Sequence, residues 1–326
     1  MKNVIGSILL MIVLLLSLFL YREGSMHQDQ MTQEAMTASA LHSEKEETEE
    51  EPVRENSAEE LQENTEASEE NEAERTEEAE AEAAEEAAPS RKKQLETIKS
   101  ALSERISQAG GEWSAAVSFL PSGEGIEIES RPMVAASLIK LYVAGACLEA
   151  AERGEIQDQY EDSLHSMLSQ SDNDAANRLI RLLGMDYINA FIQSHEFGDT
   201  RLNRLMLENN GLENYTSVRD CARLLEEVWQ GSFVSEEASE RILSALREQK
   251  VRTKIPAGLP EGVACANKTG ELAGVENDCA IIFAPSGDYV FCVMSGGISA
   301  GRAYTEIGEM SRTVYETLEA AEEADR

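Results

Sequence analysis

The stretch Gly262-Val-Ala-Cys-Ala-Asn-Lys-Thr-Gly-Glu-Leu-Ala-Gly-Val-Glu-Asn-Asp-Cys-Ala-Ile-Ile-Phe-Ala-Pro-Ser-Gly-Asp-Tyr-Val-Phe-Cys-Val-Met294 decides how this chain folds. Three runs in it, Gly262–Thr269, Asn277–Ala284 and Tyr289–Met294, read as strands. Pro285-Ser-Gly-Asp288 is a turn between the last two. Connections this short join antiparallel neighbours. N-terminal to this stretch, a mostly helical section runs from about Ser137 to Gln249. Before it, Trp113–Leu120 and Ile126–Ser130 read as two more strands across the loop Pro121-Ser-Gly-Glu-Gly125. From Gln94 to about Ala109, Leu95, Ile98, Leu102 and Ile106 recur at helical spacing, and Gly110-Gly111 closes that helix. A last helix covers about Gly301–Ala321. This order predicts an α+β domain: one antiparallel sheet flanked by helices, with an all-helical subdomain inserted in its middle.

The domain so predicted occupies residues 91–326 of a 326-residue chain. The formal net charge of −34 is concentrated elsewhere: residues 43–88 hold 21 Glu, no Asp and three bases, a net −18. A segment of that composition cannot bury enough apolar surface to collapse, so residues 24–90 read as an acidic tether. Val4 to Tyr21 is an almost unbroken apolar run, close to the ~20 residues that span a bilayer. It is followed by Tyr21-Arg22-Glu23-Gly24 and not by small residues at a cleavage spacing, which favours a signal anchor over 1–23 above a cleaved signal peptide. The expected location is the cell membrane, single-pass, with the C-terminal domain outside the cytoplasm. The acidity excludes nucleic acid as a partner, since phosphates would be repelled. The five Cys (147, 221, 265, 279, 292) are odd in number and form no CxxC pair, so buried free thiols are expected. Neither they nor the four His have the spacing of a zinc site, and no cofactor is implied.

Three short patterns carry chemistry. Ser137-Leu-Ile-Lys140 places a hydroxyl and an amine one helical turn apart, and a neutral amine can take a proton from a serine. Pro132-Met-Val-Ala-Ala-Ser137 brings a turn into that helix start, where free backbone N–H groups can hold an oxyanion. Ser171-Asp172-Asn173 opens an amphipathic helix that continues Asp174-Ala-Ala-Asn177. Lys268-Thr269-Gly270 lies on a strand. Each pattern alone is common in ordinary domains, as a helix face, an N-cap and a solvated charge.

In this order the three patterns resemble the class A β-lactamase and penicillin-binding protein superfamily of serine hydrolases. Ile255-Pro-Ala-Gly-Leu-Pro260, Thr200-Arg-Leu-Asn-Arg204 and Thr216-Ser217-Val-Arg-Asp220 resemble class A β-lactamases at the corresponding places, and the resemblance covers about 94–323. It implies that Ser137 is the acylated nucleophile and Lys140 its proton acceptor or relay. Ser171 would pass a proton to the leaving nitrogen. Asn173 would hold the substrate's side-chain amide, and Lys268, Thr269 and Gly270 would line the carboxylate-binding strand. The backbone N–H groups of Ser137 and Glu271 would form the oxyanion hole. The implied partner is a small β-lactam or peptidoglycan-peptide-like substrate, bound by a monomer.

The same resemblance exposes a departure. Hydrolysis of an acyl-enzyme needs a general base for water, and the family carries a Glu after its Thr-Arg-Leu-Asp-Arg motif. Alignment on Thr200–Arg204 puts Met206 there, and Asn210 where the family has an Asn holding the same water. Glu208 is the candidate base if the loop is reshaped. The segment from Lys140 to Ser171 is compact, and Glu271 puts a carboxylate beside the carboxylate-binding region. Three functions fit this pattern: a β-lactam hydrolase with slow deacylation, a penicillin-binding D-Ala-D-Ala peptidase or transpeptidase, and a non-catalytic wall-associated protein that keeps the fold.

Overall fold

The computed structural model describes residues 91–324. The apolar run 4–21 and the acidic segment 24–90 lie outside the described residues. Among the described residues, no helix is long and apolar enough to cross a membrane.

A helix over 91–109 (α1) leads into strands β1 (Glu112–Phe119) and β2 (Glu124–Ile128). The short strand β3 (Met133–Val134) and a 3₁₀ turn over Ala136–Leu138 then enter α2 (Ile139–Glu152). The helical section continues with α3 (Glu161–Ser169), α4 (Asn173–Leu183) and α5 (Met185–Ser194). After a long irregular loop come β4 (Tyr215–Thr216), α6 (Val218–Trp229), α7 (Glu236–Arg247) and the single turn α8 (Ile255–Gly258). Strands β5 (Ala264–Leu272), β6 (Val275–Phe283) and β7 (Tyr289–Gly296) follow, and α9 (Ala300–Ala324) ends the described chain.

The five long strands form one antiparallel sheet in the order β2-β1-β7-β6-β5. The α+β architecture is therefore the one the sequence predicts, with the helical subdomain entering between β3 and β5. Both faces of the sheet are covered. Cys279, Ile281, Val290, Cys292 and Met294 point into the core shared with the helical subdomain. Their alternate neighbours Ala280, Ile282, Tyr289, Phe291 and Val293 point into a second core against α1 and α9. This explains why β6 and β7 read as continuous apolar runs and not as alternating ones. All five Cys are free and buried, and burial pushes the Cys147 thiol up to about 12.

The single turn α8 locks the start of β5 to α9. A side chain at Gly258 would place its Cβ 2.0 Å from the Gly308 carbonyl oxygen, and Ser311 Oγ donates to the Ile255 carbonyl at 2.8 Å. Two backbones in contact leave no flexible atom to yield. Gly258→Ala is expected to destabilise the domain by about 3 kcal/mol, the upper end of overpacking costs. An unshifted urea midpoint would refute this.

Candidate active site

Lys140 and Lys268 are both fully buried and converge on one hydroxyl. Lys140 Nζ, on the first turn of α2, donates to the Ser171 carbonyl at 2.5 Å, to Asn173 Oδ1 at 2.8 Å and to Ser171 Oγ at 3.3 Å. Lys268 Nζ, on β5, donates to Ser171 Oγ at 2.8 Å and to the Thr269 carbonyl at 2.9 Å. Burial lowers Lys140 from the usual 10.5 to about 8, with Asp172 opposing the shift. Lys268 is held well below its usual value, first by burial and then by the charge of Lys140. The lowered value of Lys140 suits proton transfer near neutral pH.

Local sequence explains how Ser171 and Asn173 are presented. Asp172 caps α4: its Oδ1 accepts from the N–H groups of Asp174 at 2.8 Å and Ala175 at 3.0 Å. Ser171 sits just before the cap in the left-handed region, with φ +58°. Ala136, just before Ser137, is likewise left-handed at φ +47°. Such conformations cost on the order of 1–3 kcal/mol each and persist only where neighbours impose them.

At Ser137 the neighbours are identifiable. Asn277 Nδ2, fully buried on β6, donates to the Val134 carbonyl at 2.9 Å and the Ala135 carbonyl at 3.2 Å. Its Oδ1 accepts from Ser295 N–H at 3.1 Å, so the turn is tied to the middle of the sheet. Gly270 on β5 lies against the same turn. A Cβ there would stand 2.8 Å from the Ala135 carbonyl oxygen and 3.2 Å from Ser137 N. The backbone N–H groups of Ser137 and Glu271 are thus brought to one edge of the sheet, where β5 has no outer partner strand. Ser137 itself is partly exposed on the 3₁₀ turn, two residues ahead of Ile139, where the regular helix starts, and not inside that helix as the spacing predicts. Among the described residues, no hydrogen bond joins Lys140 Nζ to Ser137 Oγ; contacts of this kind often tighten only when substrate binds.

Comparison with known proteins agrees with this fold. Residues 158–318 match the model of the Beta-lactamase enzyme family. The solved β-lactamase of Sphaerobacter thermophilus is 26% identical, with a TM-score of 0.62 over 68% of this chain and 98% of that one. PBP-A is 25% identical, with a TM-score of 0.64 over 69% of this chain and 97% of that one. A point mutant of PBP-A, solved as an acyl-enzyme complex with penicillin G, matches to the same extent. No curated protein matches the chain.

The domain is β-lactamase-like.

In this β-lactamase-like domain the loop between α5 and β4 carries the departure noted in the sequence. Met206 is buried in the core of the helical subdomain. Asn177 clamps its backbone from both sides, Oδ1 accepting from Met206 N–H at 2.7 Å and Nδ2 donating to its carbonyl at 3.1 Å. Glu208 is exposed, and its Oε2 accepts from Leu205 N–H at 3.2 Å within the same turn. Asn210 is exposed too, its Oδ1 accepting from Leu212 N–H at 3.0 Å. Both side chains thus bond to the loop's own backbone. The buried Arg204 pairs with Glu213 at 2.6 Å, and Asn214 Oδ1 accepts from the N–H groups of Asn203 and Arg204. The loop base reaches the nucleophile turn through Ala135 N–H, which donates to the Asn214 carbonyl at 2.8 Å.

Glu271 does not stand free beside β5. Its carboxylate pairs with Lys254 at 3.1 Å, and Lys254 also pairs with Glu276 at 2.7 Å. Behind this pair, Asp278 is fully buried and bonded to Asn267 Nδ2 and Ile255 N–H, both at 3.0 Å; burial raises it to about 6. Asn177, Lys254 and Asn277 are the residues whose role in the site the motifs do not announce. The polar run Glu276-Asn-Asp278 at the head of an otherwise apolar strand is the signal that points to Asn277.

Proposed function

We propose that the domain is an acyl-enzyme whose Ser137 is acylated by β-lactams and by related peptide amides, and which releases the acyl group slowly. The observation that carries this reading is the placement of Ser171 Oγ between Lys140 and Lys268, next to a strained serine turn pressed against β5. In the proposed sequence, Ser137 Oγ attacks the amide carbon while neutral Lys140 takes its proton. The N–H groups of Ser137 and Glu271 hold the oxyanion. The C–N bond then breaks as Ser171 gives its proton to the nitrogen and is reprotonated from Lys140. The ester at Ser137 remains until water, with its proton taken by a base, attacks the same carbon.

Slow release is supported by Met206, an apolar side chain turned into the core where the family carries its deacylating carboxylate. The similarity to PBP-A, a mutant of which was captured as an acyl-enzyme with penicillin G, supports acylation by a penicillin as part of this reading. We place the domain outside the cytoplasm, held by the apolar segment 4–21 through the acidic tether.

Incubating the full chain with a fluorescent penicillin is expected to give a long-lived adduct that Ser137→Ala abolishes, with little turnover of a chromogenic cephalosporin. Met206→Glu is expected to shorten the life of the adduct about tenfold or more, within the range a positioned general base contributes. Rapid turnover by the wild type would refute slow release, and absence of any adduct would refute the enzyme itself.

A further inference from the structure

In the family resemblance, the strand after Lys268-Thr269-Gly270 receives a substrate carboxylate. The charges at that strand do not favour one. Glu271 lies two residues beyond Thr269, so both side chains leave the same face of the edge strand β5. Beneath them sits Lys254, fully buried, and this cation is saturated. Its Nζ meets Glu276 at 2.7 Å, Glu271 at 3.1 Å, the Asn277 carbonyl at 3.2 Å and the Gly270 carbonyl at 3.4 Å. Two carboxylates therefore share one ammonium, leaving a net negative charge at the end of the strand. Glu276 is almost wholly buried, whereas the Glu271 side chain is 43% exposed. The uncompensated charge thus reaches solvent at Glu271. The other nearby cation, Lys268, is engaged by Ser171 Oγ and the Thr269 carbonyl.

We propose that Glu271 is a specificity-determining residue that makes the site prefer acyl donors whose group along β5 is uncharged or cationic over those carrying a free carboxylate there. The chemical class this selects is an amide within a longer chain, or a donor bearing an amine at that end, and not a terminal carboxylate. A carboxylate laid against Thr269 would lie on the strand face from which Glu271 also leaves, and of the described cations there Lys254 and Lys268 are already engaged. An amide or ammonium there would find a carboxylate oxygen to donate to. The charge of Lys268 points the same way: burial holds it well below its usual value, and Glu271 is among the groups that oppose that shift.

This inference rests on the acyl-enzyme reading, and the test separates the two. Benzylpenicillin and its uncharged methyl ester are compared as acylating agents of the full chain, by mass of the Ser137 adduct over time. In the wild type, about 1 M salt is expected to raise the rate for benzylpenicillin relative to the ester, because screening weakens the repulsion. Glu271→Gln is expected to raise the benzylpenicillin-to-ester ratio about tenfold at low salt, the effect of removing one charge near the ligand, and to flatten its salt dependence. Adducts with an unchanged ratio in Glu271→Gln would overturn the charge selection while leaving the enzyme intact. A wild-type ratio that does not respond to salt would do the same. No adduct with either agent would overturn the acyl-enzyme reading, and the inference with it.

Discussion

Lys140→Ala is expected to slow acylation of Ser137 by about 10²–10⁴-fold, the range that a positioned general base contributes. The wild-type profile supplies the sharper test. Lys140 works as a base only when neutral, and its proton leaves at about 8. Below that pH the neutral fraction falls tenfold per unit, so acylation should rise roughly tenfold per unit up to about pH 8 and level above it. The variant should lose this limb as well as the rate. Removing Lys140 also removes a charge that lowers Lys268. Stopped-flow labelling between about pH 5 and 10 measures both, spanning the neutral and protonated forms of the base. A variant within about fivefold of wild type, or one keeping the same limb, would remove Lys140 from the proton path.

Gly270→Ala is expected to slow acylation by about 10²–10³-fold, comparable to the loss of one oxyanion donor. The added methyl would lie 2.8 Å from the Ala135 carbonyl and 3.2 Å from Ser137 N. Neither atom can rotate away, since both belong to the backbone. The turn is held from the other side by Asn277, so β5 must shift outward and carry the Glu271 N–H with it. The rest of the domain has no stake in that contact, and thermal stability should fall by only a few degrees. Labelling within about threefold of wild type would show that the edge of β5 does not shape the oxyanion site.

The architecture was legible because its signals are local. Two apolar runs flanking Pro285-Ser-Gly-Asp288 predict β6 and β7 in nearly their observed positions. The helix start at Asp172 follows from capping chemistry alone. The motifs bring Ser171, Lys140, Asn173 and Lys268 to notice, and the structure joins these four by hydrogen bonds. What escapes the sequence depends on register and distant contact. Asn277 acts on residues 142 and 143 positions away, and Asn177 on Met206, 29 positions away. Nothing in Ala135-Ala136-Ser137 announces a left-handed alanine, so the spacing alone predicts a regular helix at Ser137. The partner of Glu271 is equally hidden from its sequence neighbours, since Lys254 comes from the segment before α8.

The ties made by Asn277 have a mechanical meaning. They tie the turn before Ser137 to the sheet, while Ser171 and Asn173 stand at the start of α4 in the helical subdomain. The site therefore bridges the sheet and the helical subdomain, with Lys268 on β5 meeting Ser171 across it. An acyl group bonded to Ser137 and gripped by Asn173 would span the same two parts. Such a ligand would add a covalent tie between sheet and helices to the core they already share, for as long as the ester persists.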